Sequence, residues 1–399
     1  MTEFERVTEA LADGTILPAV DSVPNTLDTV RALFSLSGVS AFADTDHVRA
    51  MRDSIGPCDH IILVVLDGLG LGHHGSFPPG GFLSRRYVSE LRAVFPSTTS
   101  VALTSFATGA WPAEHGITGW WTYFREVSRT IAPLTFVERE TAIPAEKLGL
   151  SLESLIPIRS AYPSLFRRCR SFVPREIATG EYPRWSRGET EIQPYRSPKH
   201  AVRSIVRYLS RANSATFTYL YSDTIDTLSH KSGWNSAVVA ASIRRHDEAL
   251  ATLRSRTSDA VRIVVLADHG LVNVPPHNRR VIRDGDPMMR YFSVPPSGDA
   301  RAPIFHVTPG RESEFKAHFL STRHAESFAL LTPHEAQELK LFGPVPLSNS
   351  MRLHLGSFIG IALEPITIEY VADGKKPKDH ISSHGGMSPD EMRVGLFIG

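Results

Sequence analysis

Carboxylates, imidazoles and one hydroxyl lie in this sequence where apolar runs end or where helices are predicted to begin. Such side chains are the ligands that divalent metal ions use, together with an oxygen that can act as a nucleophile. If the fold gathers them, the chain can hold two metal ions and cleave a phosphorus–oxygen bond. The residues concerned are Asp67, Thr99, Asp226, His230, Asp268, His269 and His384.

Three apolar segments predict the strands that position the acidic residues. Ile61–Leu66 is a continuous apolar run that stops at Asp67-Gly68. Thr216–Tyr221 is rich in β-branched and aromatic residues, and Arg262–Ala267 leads straight into an Asp-His-Gly triplet. Runs of this kind are typical of strands buried on both faces of a parallel sheet. Because ligands of such sheets bind beyond the carboxyl ends of the strands, the acidic residues are expected to meet there.

These strands alternate with helices, such as the one predicted over Ser236–Leu253. The alternation predicts an α/β fold with a mainly parallel central sheet flanked by helices and a smaller inserted α/β subdomain. Residues 1–55 are expected to be a lead-in packed on the core, with one helix at about 27–37. Further along the chain we predict a catalytic core over 56–283 with a loop-rich insertion over the site at 120–200, the inserted subdomain over 284–380, and a return to the core over 381–399.

The predicted subdomain mixes short strands with a helix. The strand-like runs are Ala302–Val307, Ile359–Ala362 and Ile366–Tyr370, and the helix is predicted over Glu312–Leu320. The final segment, Met392–Ile398, is expected to rejoin the main sheet.

Composition narrows the class of protein. The 399 residues contain 43 Lys and Arg against 42 Asp and Glu, so no bulk charge recruits nucleic acid or anionic lipid. The beginning of the chain lacks the pattern of a secretory signal, and no apolar run is long enough to span a membrane. The two cysteines predict neither a disulfide framework nor a thiolate metal site. We therefore expect a cytoplasmic enzyme with no membrane and no nucleic-acid polymer as partner.

Thr99 lies where a helix is predicted to start. Ser97 or Thr98 suits the N-cap, and Gly109 suits the residue after the helix. Thr99 would then lie in the first turn, where free backbone N–H groups and the helix dipole favour a phosphate. A bound divalent cation can stabilise the alkoxide of such a hydroxyl and make it a nucleophile. The alternative is that this segment is a helix cap without a catalytic role.

Each of the other ligands also has an alternative interpretation when taken alone. Asp226 and His230 are four residues apart and can meet on one face of a helix, but they can equally be a solvated pair. Asp223 is a competing carboxylate. An Asp-Gly after a strand is commonly a turn. His384 lies in a loop rich in serine and glycine and, taken alone, is expected to be exposed.

Five motifs together indicate a family. In chain order they read VLDGLG, FPSTTSVALTSFATGAWPAEHGITG, YLYSDTIDTLSH, LADHGLV and SHGGMSPDEM. They resemble, in the same order, motifs of the nucleotide pyrophosphatase/phosphodiesterase branch of the alkaline phosphatase superfamily. The resemblance covers most of residues 58–399, with 120–200 and 284–380 matching loosely. It implies an alkaline-phosphatase-like fold.

The resemblance also implies two metal sites. Asp226, His230 and His384 would hold one ion, and the other would be held by Asp67, Asp268, His269 and the Thr99 oxygen. These donors suit Zn²⁺, although Mn²⁺ and Fe use similar ligands. The activated Thr99 would attack phosphorus and form a phosphothreonine while the second ion stabilises the leaving group. Water on that second ion would then release the phosphate. The expected substrate is a nucleotide or another small phosphate ester.

One position departs from the family pattern. Trp120 stands where the diesterase branch usually has an asparagine that holds a phosphate oxygen, and an indole cannot replace an amide. Trp120 is therefore predicted to bind substrate by stacking on a base or by forming an apolar wall, and a core role is the alternative. A phosphomonoesterase or a phosphonate hydrolase on the same two-metal site remains open, although no basic residue flanks Thr99 in the sequence. A non-catalytic phosphate-binding protein is the alternative from a different class.

Overall fold

The structure is a computed structural model that describes residues 1–188 and 190–399. The three apolar runs form strands within one residue of their predicted starts and ends. In chain order the strands are β1 (His60–Leu66), β2 (Tyr87–Arg92), β3 (Thr122–Phe124), β4 (Arg129–Ala132), β5 (Val137–Glu138), β6 (Arg168–Pro174), β7 (Glu191–Tyr195), β8 (Thr216–Ser222), β9 (Val261–Leu266), β10 (Val272–Asn273), β11 (Arg279–Ile282), β12 (Phe292–Asp299), β13 (Ala302–Val307), β14 (Phe328–Leu331), β15 (Phe358–Ala362), β16 (Thr367–Tyr370), β17 (Ser382–Ser383) and β18 (Arg393–Ile398).

The central sheet has the strand order β2-β18-β9-β1-β8-β6-β7. The neighbours from β9 to β7 are parallel, whereas β18 is antiparallel to both β9 and β2. Because Leu66 pairs with Ser222 and Val65 pairs with Leu266, the three central strands end at the same edge. The predicted α/β fold with a mainly parallel sheet is therefore confirmed, and the final segment rejoins this sheet as expected.

Helices cover both faces of the central sheet. On one face Phe34 of the second helix contacts Phe217 of β8, with ring centroids 6.4 Å apart. On the other face His246 of the long eleventh helix is 2.9 Å from the Ser222 hydroxyl. The α-helices are α1 (Glu3–Ala12), α2 (Thr26–Ser35), α3 (Asp46–Ile55), α4 (Phe82–Arg86), α5 (Thr99–Thr108), α6 (Pro112–His115), α7 (Leu152–Leu155), α8 (Glu181–Arg187), α9 (Pro198–Leu209), α10 (Thr224–Ser232), α11 (Ala237–Ser255), α12 (Glu312–Leu320), α13 (His324–Ser327), α14 (Pro333–Glu338), α15 (Asn349–His354) and α16 (Pro389–Met392).

Short 3₁₀ turns connect several of these elements, at Leu71–Ser76, Arg125–Val127, Ala145–Leu148, Tyr162–Ser164, Pro276–Asn278 and Pro287–Tyr291. Within residues 1–188 and 190–399, no helix combines the length and the apolar character that crossing a membrane requires.

Smaller sheets lie outside the central one. Strands β12, β13, β15 and β14 form an antiparallel sheet, and β11 pairs with β16 in a parallel ribbon. A short ladder joins β10 to β17, and β3, β4 and β5 form a further sheet. The strand-like runs predicted between residues 284 and 380 correspond to β13, β15 and β16, and the predicted helix is α12. The division of the chain into domains stays a prediction.

Two regions differ from the expectation. The lead-in over residues 1–55 contains α1 and α3 besides the expected α2. Both are short amphipathic helices whose N-caps, Thr2 and Thr45, accept hydrogen bonds from the first turn. The region 120–200 is more than loops and short helices over the site, because β6 and β7 extend the central sheet. The arginines at the start of β6 conceal a strand whose later residues, Phe172 and Val173, are buried.

Candidate active site

The carboxylates converge because their strands are neighbours. In the order β9-β1-β8, Asp67 follows the middle strand, Asp268 follows β9, and Asp226 lies in α10 just beyond β8. The backbone N–H of Asp226 donates to the Asp67 carbonyl at 3.1 Å. Gly68 has a φ of +75°, and a Cβ there would lie 3.0 Å from the Asp226 backbone. A glycine is therefore required for the chain to turn this close to α10.

Thr99 is the first residue of α5, as the capping pattern predicts. Thr98 occupies the N-cap with an extended backbone, and Gly109 adopts the left-handed conformation after the last turn. The hydroxyl of Ser97 donates to the Gly386 carbonyl at 2.7 Å and accepts from the Gly385 N–H at 3.2 Å. These two bonds join the start of α5 to the loop that carries His384.

His384 reaches the site through the ladder between β10 and β17. Val272 pairs with Ser383, and β10 follows shortly after His269 in the chain. The rings of His269 and His384 are therefore stacked, with centroids 3.9 Å apart. His384 is 8% exposed, so the expectation that its loop alone would leave it on the surface is wrong.

The hydroxyl of Thr99 faces one cluster of ligands. Its Oγ1 is 3.1 Å from His269 Nε2 and donates to Asp67 Oδ2 at 3.4 Å. His269 Nε2 lies 3.5 Å from both Asp67 Oδ1 and Asp268 Oδ2. We name Asp67, Thr99, Asp268 and His269 the threonine cluster.

A second cluster, of Asp226, His230 and His384, lies beside it. Asp226 Oδ1 is 3.3 Å from His230 Nε2 and 3.8 Å from His384 Nε2. The donor atoms of Asp226, His269 and His384 lie within 4.8 Å of one another, as do those of Asp67, Asp268 and His269. The structure thus brings all seven predicted residues together. The assignment of His230 and His269 to particular ions stays a prediction, since His269 adjoins both groups.

The chemistry of these donors fits two divalent cations. Asp67 Oδ1, Asp226 Oδ1 and Asp268 Oδ2 are buried, and each lacks a hydrogen-bond partner among the described residues. Buried carboxylate oxygens without donors are costly unless a cation compensates them. Two imidazoles are oriented for a metal, because Nδ1 of His269 and of His230 contact the carbonyls of Gly270 and Ser382 at 3.0 and 2.7 Å. Donation from Nδ1 leaves each Nε2 lone pair free to bind.

Burial and mutual repulsion shift the pKa values in the site. Burial, followed by the charges of Asp268 and Asp226, raises the pKa of Asp67 well above its usual value. Burial raises the pKa of Asp226 to about 7. It also lowers the pKa of His230 to about 4 and that of His384 well below its usual value. Near neutral pH the imidazoles of His230 and His384 are therefore neutral, while Asp226 still holds part of a proton that a cation must displace.

Zinc binding near pH 7 should therefore release protons. Asp226, with a pKa of about 7, is partly protonated in the metal-free protein and must ionise to bind. We expect the apparent zinc affinity to rise between about pH 6 and pH 8. Isothermal titration calorimetry in two buffers of different ionisation enthalpy measures the protons released. The variant Asp226→Asn should release fewer protons, and a binding enthalpy of the parent that is the same in both buffers would contradict the prediction.

A cleft of about 490 Å³ opens onto both clusters. Trp120 lines it and is half-buried, and the Trp120 backbone N–H donates to Asp299 Oδ2 at 2.8 Å. The ammonium of Lys378 lies over the Trp120 ring, 4.6 Å from its centroid. The sequence shows no basic residue flanking Thr99, yet Lys378 lines the same cleft as the threonine.

Sequence reasoning missed several residues of the site. The hydroxyl of Tyr221 donates to Asp67 Oδ2 from within β8. His380 stacks on His230 with centroids 4.0 Å apart, and Asp299 and Lys378 reach the cleft from outside the motifs. A buried tyrosine in a strand needs a partner for its hydroxyl, and this is the one signal that could have found Tyr221. The other three lie in segments whose packing the sequence does not reveal.

Fold and site together define the superfamily. The mostly parallel sheet, with paired Asp/His clusters at the carboxyl ends of its central strands, is that of the alkaline phosphatase superfamily. Residues 82–343, more than half of the chain, match the family described as Type I phosphodiesterase / nucleotide pyrophosphatase. The protein belongs to that family.

Curated relatives share part of this chain. Ectonucleotide pyrophosphatase/phosphodiesterase family member 3 of Mus musculus is 26% identical over 189 residues, which cover 45% of this chain and 20% of the relative. Venom phosphodiesterase 2 of Crotalus adamanteus is 24% identical over 207 residues, which cover 47% of this chain and 23% of the relative. The match spans about a fifth of the length of these relatives.

Solved structures share the fold over most of the chain. Murine ectonucleotide pyrophosphatase/phosphodiesterase 5 has a TM-score of 0.62 at 14% identity, covering 84% of this chain and 87% of that one. An inactive form of that protein has been solved in complex with AMP. Phosphonoacetate hydrolase from Sinorhizobium meliloti, in complex with phosphonoformate, has a TM-score of 0.59 at 17% identity, covering 84% of this chain and 89% of that one. At these identities the likeness concerns the fold alone.

Proposed function

We propose that this protein is a metal-dependent hydrolase that cleaves phosphodiester or pyrophosphate bonds through a phosphothreonine at Thr99. The observation that carries the proposal is the position of the Thr99 hydroxyl. It lies at the start of a helix, 3.1 Å from His269 Nε2 and within hydrogen-bonding reach of Asp67, and it lines an open cleft. A helix start of this kind favours the phosphoryl group that the hydroxyl would attack.

Two divalent cations, Zn²⁺ by preference, fit the donors. We assign Asp226, His230 and His384 to one ion and the threonine cluster to the other. When bound, such ions supply Lewis acidity, which favours the ionised Thr99 oxygen and offsets negative charge on the phosphoryl and leaving-group oxygens. Nitrogen and oxygen donors also accept Mn²⁺ or Fe, so metal identity is part of the proposal.

The protein's own groups direct the chemical step. Asp67 accepts the hydrogen bond of Thr99 and so orients Oγ1 toward the cleft. The Thr99 hydroxyl gives up its proton to water, and as its oxygen forms a bond to phosphorus, the bond between phosphorus and the leaving oxygen breaks in line with it. Free N–H groups of the first turn of α5 stabilise the equatorial oxygens. Attack by water on the phosphothreonine then breaks the bond between phosphorus and Thr99 Oγ1, and a proton from the water restores the hydroxyl. The two in-line steps give net retention at phosphorus.

The substrate is proposed to be a nucleotide or a related small phosphate ester. Trp120 and Trp121 both line the cleft, where an aromatic ring can stack on a base. Family membership and the AMP complex of the murine protein support a nucleotide.

A second candidate is a phosphomonoesterase or a phosphonate hydrolase on the same site. The ammonium of Lys378 in the cleft favours it, because additional positive charge suits substrates with more than one ionised group. A non-catalytic phosphate-binding protein is the alternative from another class.

Metal analysis and a substrate panel test the proposal. We expect about two equivalents of zinc per chain. The panel comprises dinucleoside polyphosphates, nucleotide sugars, and aryl mono- and diesters, with the chelator-treated protein as control. Turnover of diesters or pyrophosphates that disappears when the metal is removed supports the proposal. Turnover of monoesters or phosphonates alone supports the second candidate, and a protein without metal and without turnover favours the binding protein.

A further inference from the structure

We propose that Lys378, held over Trp120, binds a negatively charged leaving group and so selects pyrophosphate bonds over simple diesters. The inference rests on the proposed function. It assigns a specificity role to a residue that lies outside the five motifs.

The position of Lys378 supports a role in binding. Its ammonium is 4.6 Å from the centroid of the Trp120 ring, and both residues line the cleft with Asp226, His230 and His384. An ammonium over an indole face is held by electrostatic attraction while its N–H groups stay free. The backbone from which the indole projects is anchored, since the Trp120 N–H donates to Asp299 Oδ2 at 2.8 Å. Trp120 is thus a positioning residue for the lysine.

The charges around Lys378 leave it available to an anion. Among the described residues, Lys378 forms no ion pair, because no carboxylate oxygen lies within 4.0 Å of its Nζ. Arg279, also in the cleft wall, is by contrast paired with Asp379 at 2.9 Å. Arg280 adds a second cation to the wall, and its buried Nε has no hydrogen-bond partner among the residues described. Lys378 is itself exposed, so an anion that enters the cleft can reach its ammonium without displacing a partner.

Lys378 lies on the leaving-group side of the site. In an in-line displacement the leaving oxygen departs opposite the attacking one. The attacking Thr99 hydroxyl contacts Asp67 and His269, whereas the positive charge of Lys378 acts on Asp226, His230 and His384, the proposed ligands of the second ion. A second phosphate leaving on that side would bring several negative charges to the ammonium, and a leaving group with a single delocalised charge would gain less from it.

Two substrates that deliver the same group test this. The p-nitrophenyl ester of thymidine 5′-monophosphate and thymidine triphosphate both transfer thymidylate. The first releases p-nitrophenolate, with one delocalised negative charge, and the second releases pyrophosphate, with several. For Lys378→Met we expect kcat/KM to fall roughly tenfold with the triphosphate and to change less than about twofold with the ester. The salt dependence of the triphosphate reaction should weaken in the same variant. Lys378→Arg should restore both.

Lys376→Met is the matched control, since this exposed lysine of the same loop does not line the cleft. Trp120→Leu should give a smaller loss with the triphosphate than Lys378→Met, because the ammonium remains but is no longer held in place. Equal losses on both substrates, or none on the triphosphate, would overturn the role of Lys378. A parent protein that turns over neither substrate overturns the proposed function itself, which is a different result.

Discussion

Replacing Thr99 by alanine should reduce the hydrolysis of bis-p-nitrophenyl phosphate by at least about 10³-fold. The change removes the oxygen proposed to bond to phosphorus and leaves the carboxylates and imidazoles in place. The zinc content should stay near two equivalents, because Asp67, Asp268 and His269 still surround one ion. Thr99→Ser should retain part of the activity, since serine offers the same hydroxyl from the first turn of α5. Steady-state rates and metal analysis on the same samples provide the measurement.

Thr104→Ala is the matched control for this experiment. Thr104 is a buried threonine of the same helix, and its hydroxyl is 3.0 Å from that of Tyr182, outside both clusters. The control should lose some stability but keep its rate. Acid-quenched parent protein should also yield a phosphopeptide that contains Thr99. A fully metal-loaded Thr99→Ala protein with the parental rate would show that Thr99 is not the nucleophile.

The sequence was sufficient for the parts of the fold where one physical signal dominates. Apolar runs that stop at an acidic residue predicted β1 and β9 closely, because a charge is excluded from a strand buried on both faces. A segment rich in β-branched and aromatic residues predicted β8. Given a parallel sheet, the carboxyl ends of these strands share one edge, which predicts the convergence of Asp67 and Asp268. The capping residues of α5 likewise predicted the place of Thr99.

Other elements were missed because competing signals hide them. The arginines at the start of β6 are typical of a solvated surface, yet they belong to a strand near the sheet edge whose far end is buried. Helices α1 and α3 bury a few residues each, Val7 and Ala10 in one and Val48, Met51 and Ile55 in the other. So short an apolar stripe is a weak pattern in a polar segment.

Part of the site depends on packing that no local pattern records. Lys378 reaches the cleft from a loop far from Thr99 in the chain, and its contact with Trp120 follows from how that loop folds back. Gly298, near the end of β12, forms an isolated β-bridge with Trp121. This bridge brings the next residue, Asp299, to the backbone N–H of Trp120. The absence of a basic residue beside Thr99 in the sequence was therefore a poor guide to the charge of the cleft.

Arg301→Met should lower the free energy of unfolding by about 3–5 kcal/mol, because it leaves a buried carboxylate without its partner. Arg301 and Glu391 side chains are 1% and 0% exposed, and the guanidinium donates to the carboxylate at 2.7 and 2.9 Å. The same carboxylate accepts the Gly386 N–H at 2.8 Å, two residues after His384. Loss of Arg301 should therefore also weaken zinc binding. Urea denaturation of the metal-free protein measures the first effect, and zinc titration measures the second.

Two further variants separate the ion pair from other causes of instability. Arg49→Met removes an ion pair with Asp46 whose side chains are 47% and 93% exposed, and it should cost less than about 1 kcal/mol. Arg301→Met combined with Glu391→Met should regain much of the stability, since neither charge is then left unpaired. It should not regain zinc affinity, because the Gly386 N–H loses its acceptor and the His384 loop its anchor. If Arg301→Met alone matches the surface variant, or if the double variant binds zinc as the parent does, Arg301 and Glu391 do not hold the His384 loop in place.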